Sequence, residues 1–523
     1  MPQLFRDACI HHTVPCRPVS DSGRVASAKD SVGPPGCTPV QRRQSWPVGL
    51  ATAAWLGAAL AGCARFQPEP LSPAANADAL ESRTLAEPRL QRLLLATLPA
   101  GRAVQRPDWD LEKLTLAALY YHPDLTVAGA KLASSQAGVV IANERPNPTL
   151  NFSAVFGTAA VSGAAFPPSV LPIVVGPVVN FVIETFGKRE DRTAQAQHLV
   201  DAAREDLATA AWQVRGRVRT ALLNLWAAQK RLELGRQQVA LRQQLVRLLE
   251  QRLTAGFATT LDVTRERIAL AQATLSIRDV NRLEAEARAQ LATATGIPAR
   301  ALDGVHLFVG IFDHPKAPDA GLDGALRRRA LTERTDVRSS LAQYEAAQSA
   351  LQLQVATQYP NLTLGPGYNY EFGTNRFILN PAIDFPIFHQ NQGQIARAVA
   401  DRQQAAASFT ALQAQIIGAV DTAVAGYRAT TQTLRTADAL AADEQSRQRQ
   451  VRASFDAGDS DRPTLIAAEL EAAVVQSSRF DTVVLQRQAL GALEDALQQP
   501  LFDPEAARFV PHAGARATTE LPR

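Results

Sequence analysis

The sequence predicts a mainly α-helical chain with a small membrane-type β component, built from one strand-hairpin and long-helix unit used twice. Three observations carry this. Short motifs recur at a near-constant spacing, the stretches 188–255 and 387–462 contain no proline, and alternating apolar segments precede each of them. At 523 residues and 46% apolar content the chain is long and apolar enough to fold throughout. A net charge of +4, with no basic patch interleaved with aromatics, gives no sign of a nucleic-acid partner.

The N-terminal region reads as a leader over 1–62. Cys9, Cys16, Cys37 and Cys63 are the only cysteines. An apolar run over 48–62 follows Arg42 and Arg43, is too short for the roughly 20 residues of a membrane span, and ends in Leu60-Ala61-Gly62-Cys63. The tetrapeptide resembles a bacterial lipobox, which implies a covalent lipid on Cys63 and, with Ala64 next, sorting to the outer membrane. Residues 1–40 are polar and unlike such a leader, and Met1 is the sole methionine, which suggests a non-AUG translation start nearer Val40. Residues 63–106 then form a lipidated linker. A chain beginning at Cys63 can form no internal disulfide, so packing and oligomerisation must stabilise it.

The repeat begins with a helix of about 20 residues, 124–144 and again 336–358, each stopped by a Pro-Asn motif. Arg145-Pro-Asn-Pro-Thr-Leu150 returns as Tyr359-Pro-Asn-Leu-Thr-Leu364 after 214 residues, and His122-Pro-Asp-Leu125 as Arg334-Thr-Asp-Val337 after 212. Strands follow at 149–156 and 177–186, joined by a Gly/Ala/Pro-rich linker over 157–176, and at 361–372 and 376–388, joined by Gly373-Thr374-Asn375. From there the spacing is 202, relating Phe186 to Phe388, Gly216 to Gly418 and Gly256 to Gly458. The change in spacing places 12 extra residues in the first hairpin.

In the first long helix Leu207, Ala211, Val214, Val218, Ala221, Leu225, Ala228 and Leu232 recur at steps of four and three, a heptad seam. At 1.5 Å per residue each rod is roughly 100 Å long. Gly256 and Gly458 end the rods in tip turns, and return helices follow over 261–295 and 463–498. The domain reading is a first repeat over 107–298, an inter-repeat segment over 299–325, a second repeat over 326–500 and a tail over 501–523. Four strands cannot close a membrane barrel, whose smallest members have about eight. Three protomers would supply twelve.

The chain resembles the TolC-like outer-membrane efflux proteins from about 107 to 500, through the doubled Pro-Asn-X-Thr-Leu motif, the Phe186-Gly-Lys-Arg-Glu-Asp-Arg192 entry to the rod and the two Ala-Gly tips. The resemblance implies a homotrimer with a 12-stranded β-barrel in outer-membrane lipid and an α-helical periplasmic tunnel. It also implies docking through a periplasmic adaptor to an inner-membrane pump of the RND type, with metal cations or drugs as cargo. The Phe186–Arg192 stretch looks closest to the CzcC-like heavy-metal branch. The family carries an aspartate six residues after the first tip glycine that helps hold the periplasmic end closed, a position Asp262 fills. The second tip departs from the family pattern, with Thr464 and Ala467 where two acids are usual and Phe455 and Ser460 at the latch positions. Its acids are Asp456, Asp459 and Asp461, beside Arg462. Two readings stand: a gate in which Asp262 pairs with Arg462 above an acidic ring, or solvated turn and capping residues. No catalytic constellation, metal-ligand spacing or phosphate loop is present, so neither an enzyme nor a bound metal is expected. Two other functions remain open, the duct of a type I protein secretion system and a periplasmic coiled-coil adaptor or scaffold lacking a barrel.

Overall fold

The computed structural model describes residues 66–98, 108–156, 173–313, 324–371 and 374–501. The leader, Cys63, most of the first hairpin linker and the tail from 502 lie outside the described residues. Residues 66–79 belong to a small unit of their own, an extended stretch leading into helix α1 (Pro73–Glu81), none of whose residues is buried. Everything from Leu80 onward forms the second unit.

That unit holds α2 (Pro88–Thr97), α3 (Leu111–Tyr121), α4 (Pro123–Asn143), β1 (Thr149–Phe156), β2 (Ile173–Ile183), α5 (Lys188–Thr254) and α6 (Thr260–Thr295). Two 3-10 turns and α7 (Gly324–Glu333) lead to α8 (Thr335–Thr357), β3 (Leu362–Glu371), β4 (Thr374–Ile383), α9 (Gln392–Asp456) and α10 (Arg462–Leu497). The duplication is therefore real in three dimensions. α4, β1, β2, α5 and α6 correspond to α8, β3, β4, α9 and α10. The return helices are 36 residues each, and the rods are 67 and 65. The rods end in register at the tip, so the difference lies at their starts, Gly187 and Asn391, both in left-handed backbone.

Two strands, β2 and β4, differ from the sequence reading by more than a residue at each end. β2 starts four residues early and ends at Ile183 rather than 186, because Phe186 (φ 57°) and Gly187 (φ 74°) take left-handed conformations that turn the chain into α5. β4 ends at Ile383 rather than 388, just short of Pro386, which lacks an amide hydrogen to extend the ladder.

The core gathers where both repeats and the inter-repeat segment meet. Val214, Val218, Leu222 and Leu225 of α5 are fully buried with Leu114 of α3, Leu291 of α6, Leu490 and Leu493 of α10, and Leu302 and Phe312 of the 3-10 turns. Trp226 packs between Phe312 and Phe480, with ring centroids 5.8 and 5.0 Å away. The heptad seam is buried from Ala211 to Leu232, with Leu207 half-buried. Towards the tip, helix faces are increasingly open.

Candidate functional site

Three places carry the functional geometry: the sheet, the joint between the repeats, and the tip. The four strands form one antiparallel sheet in the order β1-β2-β3-β4, so β1 and β4 are free edges. The pairings Phe152↔Pro177, Phe181↔Leu364 and Leu364↔Pro381 fix which residues share a face. One face carries Leu150, Phe152, Val175, Pro177, Val179, Phe181, Ile183, Leu362, Leu364, Tyr368, Tyr370, Phe377, Leu379 and Ile383. The other carries Asn151, Ser153, Gly176, Asn180, Thr363, Gly365, Gly367, Asn369, Arg376 and Asn380, with Val178, Val182 and Ile378 among them. The polar face is thinned by glycine where asparagines lie across neighbouring strands: a Cβ on Gly176 would sit 1.8 Å from Asn369 Oδ1, and one on Gly365 2.5 Å from Asn180 Oδ1. The apolar face is open, with Phe377 88% exposed and Phe152 72%. Such a face is costly in water and suited to lipid.

Aromatic rings mark both ends of that face. Tyr368 and Phe377 meet edge-on at 5.7 Å at the hairpin end, while Phe186 stacks on Tyr359 at 4.3 Å at the helix end. A ten-residue strand tilted by about 40° spans roughly 25 Å, the height of an outer-membrane apolar band.

The Phe186–Arg192 entry locks the two hairpins together. Lys188 Nζ donates to Tyr359 O and Asn361 Oδ1, both at 2.6 Å, and Thr185 Oγ1 donates to Pro360 O at 2.6 Å. Arg192 pairs with Glu184 at 2.7 Å and donates to Ala142 O at 2.8 Å. Thus one repeat's first rod turn caps the other repeat's strand entrance.

The joint lies between α5 and α10, and no sequence motif marks it. Glu494 is 0% exposed and bonds Arg215, while Arg219 lies 3.4 Å from its second oxygen and pairs with Asp495 at 2.6 Å. Two glycines admit this cluster: a Cβ on Gly491 would lie 3.0 Å from the Arg219 guanidinium, and one on Gly216 3.1 Å from Asp495 Oδ1. Nearby, Arg487 donates to Phe312 O at 2.8 Å, and Arg334 pairs with Asp336 at 2.7 Å while donating to Ala496 O. Burial holds these ion pairs in one geometry, since a partner removed would leave a charge without water.

At the tip Gly256 (φ 79°) and Gly458 (φ 84°) occupy left-handed positions that only glycine adopts without strain. Phe257 N donates to Arg252 O at 2.7 Å and Asp459 N to Ser454 O at 2.9 Å, the Schellman closure of each rod. The helices that follow are capped by the same two residue types in reversed order. Thr259 caps α6 with Asp262 returning a bond, whereas Asp461 caps α10 and receives bonds from Thr464 N and Oγ1. These bonds hold the Asp262 and Asp461 carboxyls below the usual carboxylate range, through Thr259 and Thr464 respectively, with Arg252 adding to the effect on Asp461. The ion pairs along the rods are likewise inverted: Glu250 meets Arg267 at 2.9 Å, and their counterparts Arg452 and Glu469 meet at 3.0 Å.

Within the protomer Asp262 is thus a capping residue bonded to Thr259, and the cross-repeat pair at the tip is not Asp262 with Arg462. It is Arg252 with Asp461, at 2.8 Å. Asp456 sits 3.8 Å from Arg452, and Asp459 enters the turn through its backbone. The histidines serve as local partners: His122 Nδ1 accepts from Asp124 N at 3.2 Å at the start of α4, and His198 lies 3.2 Å from Glu345. Among the described residues no cluster of three His, Cys, Asp or Glu side chains could hold a metal.

The duplicated hairpin-and-rod protomer thus joins a four-stranded sheet with one exposed apolar face to paired long helices that turn at glycine tips. Residues 115–297 match the model of the outer membrane efflux protein family. It is 28% identical over 315 residues to the pyoverdine export outer membrane protein OpmQ of Pseudomonas aeruginosa, covering 57% of this chain and 64% of that protein. It is 25% identical over 285 residues to the cobalt-zinc-cadmium resistance protein CzcC of Cupriavidus metallidurans, covering 54% and 64%. The matches therefore span just under two thirds of the length of these relatives. The fold superposes on the outer-membrane channel OprN with a TM-score of 0.60 at 19% identity, covering 84% of this chain and 99% of that one. CusC gives 0.60 at 18% identity, covering 82% and 98%.

Proposed function

We propose that this chain is the outer-membrane channel of a tripartite efflux system. It would conduct passively what an inner-membrane RND-type pump and a periplasmic adaptor deliver, with metal cations or drugs as cargo. The observation that carries the reading is the sheet: four strands, two free edges, one face apolar and open, the other polar and lined with glycine and asparagine. Open edges cannot persist in lipid, because each unpaired backbone group there costs several kcal/mol. Three copies close the sheet into twelve strands, with the polar face inward. This arrangement disfavours an adaptor or scaffold without a barrel.

In the same reading, a lipid on Cys63 tethers the assembly and the tip acts as its gate. Gly256 and Gly458 shape the turns, Asp262 and Asp461 fix the helix starts, and Arg252–Asp461 latches one repeat to the other. Asp456, Asp459 and Arg462 line the loop around the aperture. The chain works as a conduit, not as an enzyme.

Membrane fractionation tests this. The protein is expected in the outer-membrane fraction, released by detergent and not by salt, with Leu379→Arg losing most of that population. Recovery of the unmodified protein as a soluble species would overturn the reading.

A further inference from the structure

The two hairpins are almost free of charge. Asp, Glu, Lys and Arg make up 20% of the chain, a share that would place about seven in the 38 residues from Pro146 to Ile183. That stretch holds none of them, and no histidine. Pro360 to Ile383 holds two, Glu371 and Arg376, of opposite sign. Lipid accounts for only half of this. A membrane strand excludes charge from its outward face, every second residue, while its inward residues meet water and are free to carry it. The polar face of this sheet is therefore neutral by choice of side chain, not by need.

The register sorts that face into levels. Nearest the helices, Asn180 lies opposite Thr149 on one side and against Gly365 on the other, with Asn380 opposite Gly365. In the middle level Asn151 faces Val178 and Gly367 faces Ile378. Towards the hairpin ends, Ser153 faces Gly176 and Asn369 faces Arg376. At the last position of β3, Glu371 pairs with Thr374. Carboxamides thus recur at every level, flanked by hydroxyls and one aliphatic pair. The two opposite charges occupy neighbouring levels at the outer end, so each copy adds no net charge. Gly176 and Gly365 admit the Asn369 and Asn180 carboxamides against the neighbouring strand, where a Cβ would collide with them. The amides therefore lie along the wall and leave the bore open.

We propose that the barrel is a charge-neutral exit whose wall meets cargo through carboxamide and hydroxyl groups, so that the cargo it fits is an uncharged or zwitterionic organic molecule and not a bare metal cation. This rests on the channel reading above, with the polar face inward, and narrows its cargo. Rings of acids concentrate cations in a pore and rings of bases concentrate anions. Among the described residues the three levels from Thr149 to Arg376 hold no carboxylate, imidazole or thiol, the groups that bind divalent transition metals. A carboxamide donates and accepts at once, which suits amide and hydroxyl groups on a solute and adds no net field.

Thiol chemistry from the outer side tests the exit without involving the tip, and no cysteine follows Cys63 to interfere. In intact cells carrying the full-length protein, Asn380→Cys is treated with a cationic and with an anionic methanethiosulfonate of matched size. Each rate is taken relative to a small free thiol, and the two are expected to agree within about threefold. Adding Asn180→Asp, at the same level, should push the preference for the cationic reagent beyond that limit. Arg376→Gln, which leaves Glu371 unbalanced, should shift it in the same direction. A larger preference for either reagent in Asn380→Cys alone overturns the neutral exit and leaves the channel reading standing. Leu379→Cys, on the apolar face, should stay unmodified; reaction there as fast as at Asn380→Cys would overturn both, because that face would then meet water. Deleting the chain from the organism that carries it should leave the inhibitory concentrations of zinc, cobalt and cadmium chlorides unchanged, and sensitisation to any of them would overturn the cargo class.

Discussion

The joint and the tip solve one problem, fastening α5 of the first repeat to α10 of the second, with the same pair chemistry in opposite surroundings. At the joint Arg215 and Arg219 meet Glu494 out of water, on a helix approach that two glycines allow. At the tip Arg252 meets Asp461 with both side chains more than a third exposed. A buried pair is costly to break because the surviving charge is stranded, whereas an exposed pair is typically worth only about 0–1 kcal/mol. The difference teaches that one fastening resists breaking and the other does not. In the channel proposed above, the joint would then be the fixed pivot and the tip the end able to release.

The largest expected effect is therefore at the joint. Glu494→Ala should cost about 3–5 kcal/mol by leaving the buried Arg215 guanidinium without its carboxylate while Arg219 keeps Asp495, and should be seen as a lowered unfolding midpoint and reduced trimer yield. A change below about 1 kcal/mol would erase the contrast between the two regions. Gly491→Ala should cost about 1–3 kcal/mol in the same assay, since the added methyl displaces the Arg219 guanidinium from both carboxylates. Gly256→Ala should cost about 1 kcal/mol through its left-handed backbone, with nothing near enough to clash, and should raise protease cleavage only at the tip.

The smallest stability effect belongs to Arg252→Ala, at most about 1 kcal/mol, yet it should enlarge channel conductance where the joint variants do not. Acid should act on the same bond. The Asp461 carboxyl is lowered by Thr464 and by Arg252, so the latch is present above the ordinary carboxylate value of about 4 and is lost only as pH falls through the lowered one. Conductance should accordingly stay flat from pH 7 down to about 4 and rise only below it.

The long elements were legible because their signals are local. Absence of proline and a 4-3 apolar step define a rod, and Ala-Gly followed by Thr or Asp defines a turn and a cap. Strand ends were less legible: β2 reads as apolar on both sides of Pro177, so only pairing with β1 and β3 reveals where it starts. The joint was invisible for a different reason. Arg215 and Glu494 are 279 residues apart, and each looks like a solvated charge on a rod. The available signal was Gly216 and Gly491, glycines within helices that cost about 1 kcal/mol each relative to alanine and so imply a close neighbour. At the tip, proximity to the turns points to Asp262 and Arg462, but capping decides the pairing. Arg462 opens α10 and carries no side-chain acceptor, so the cap falls to Asp461 just before it. One Asp461 oxygen takes the Thr464 amide, and the other is left to reach Arg252.

Planar-bilayer recording of the purified full-length protein tests the central claim most directly. Long-lived unitary channels of small conductance are expected, enlarged in Arg252→Ala. A protein that inserts no channels, or channels of equal conductance with and without Arg252, would contradict a duct with a fixed joint and a releasable tip.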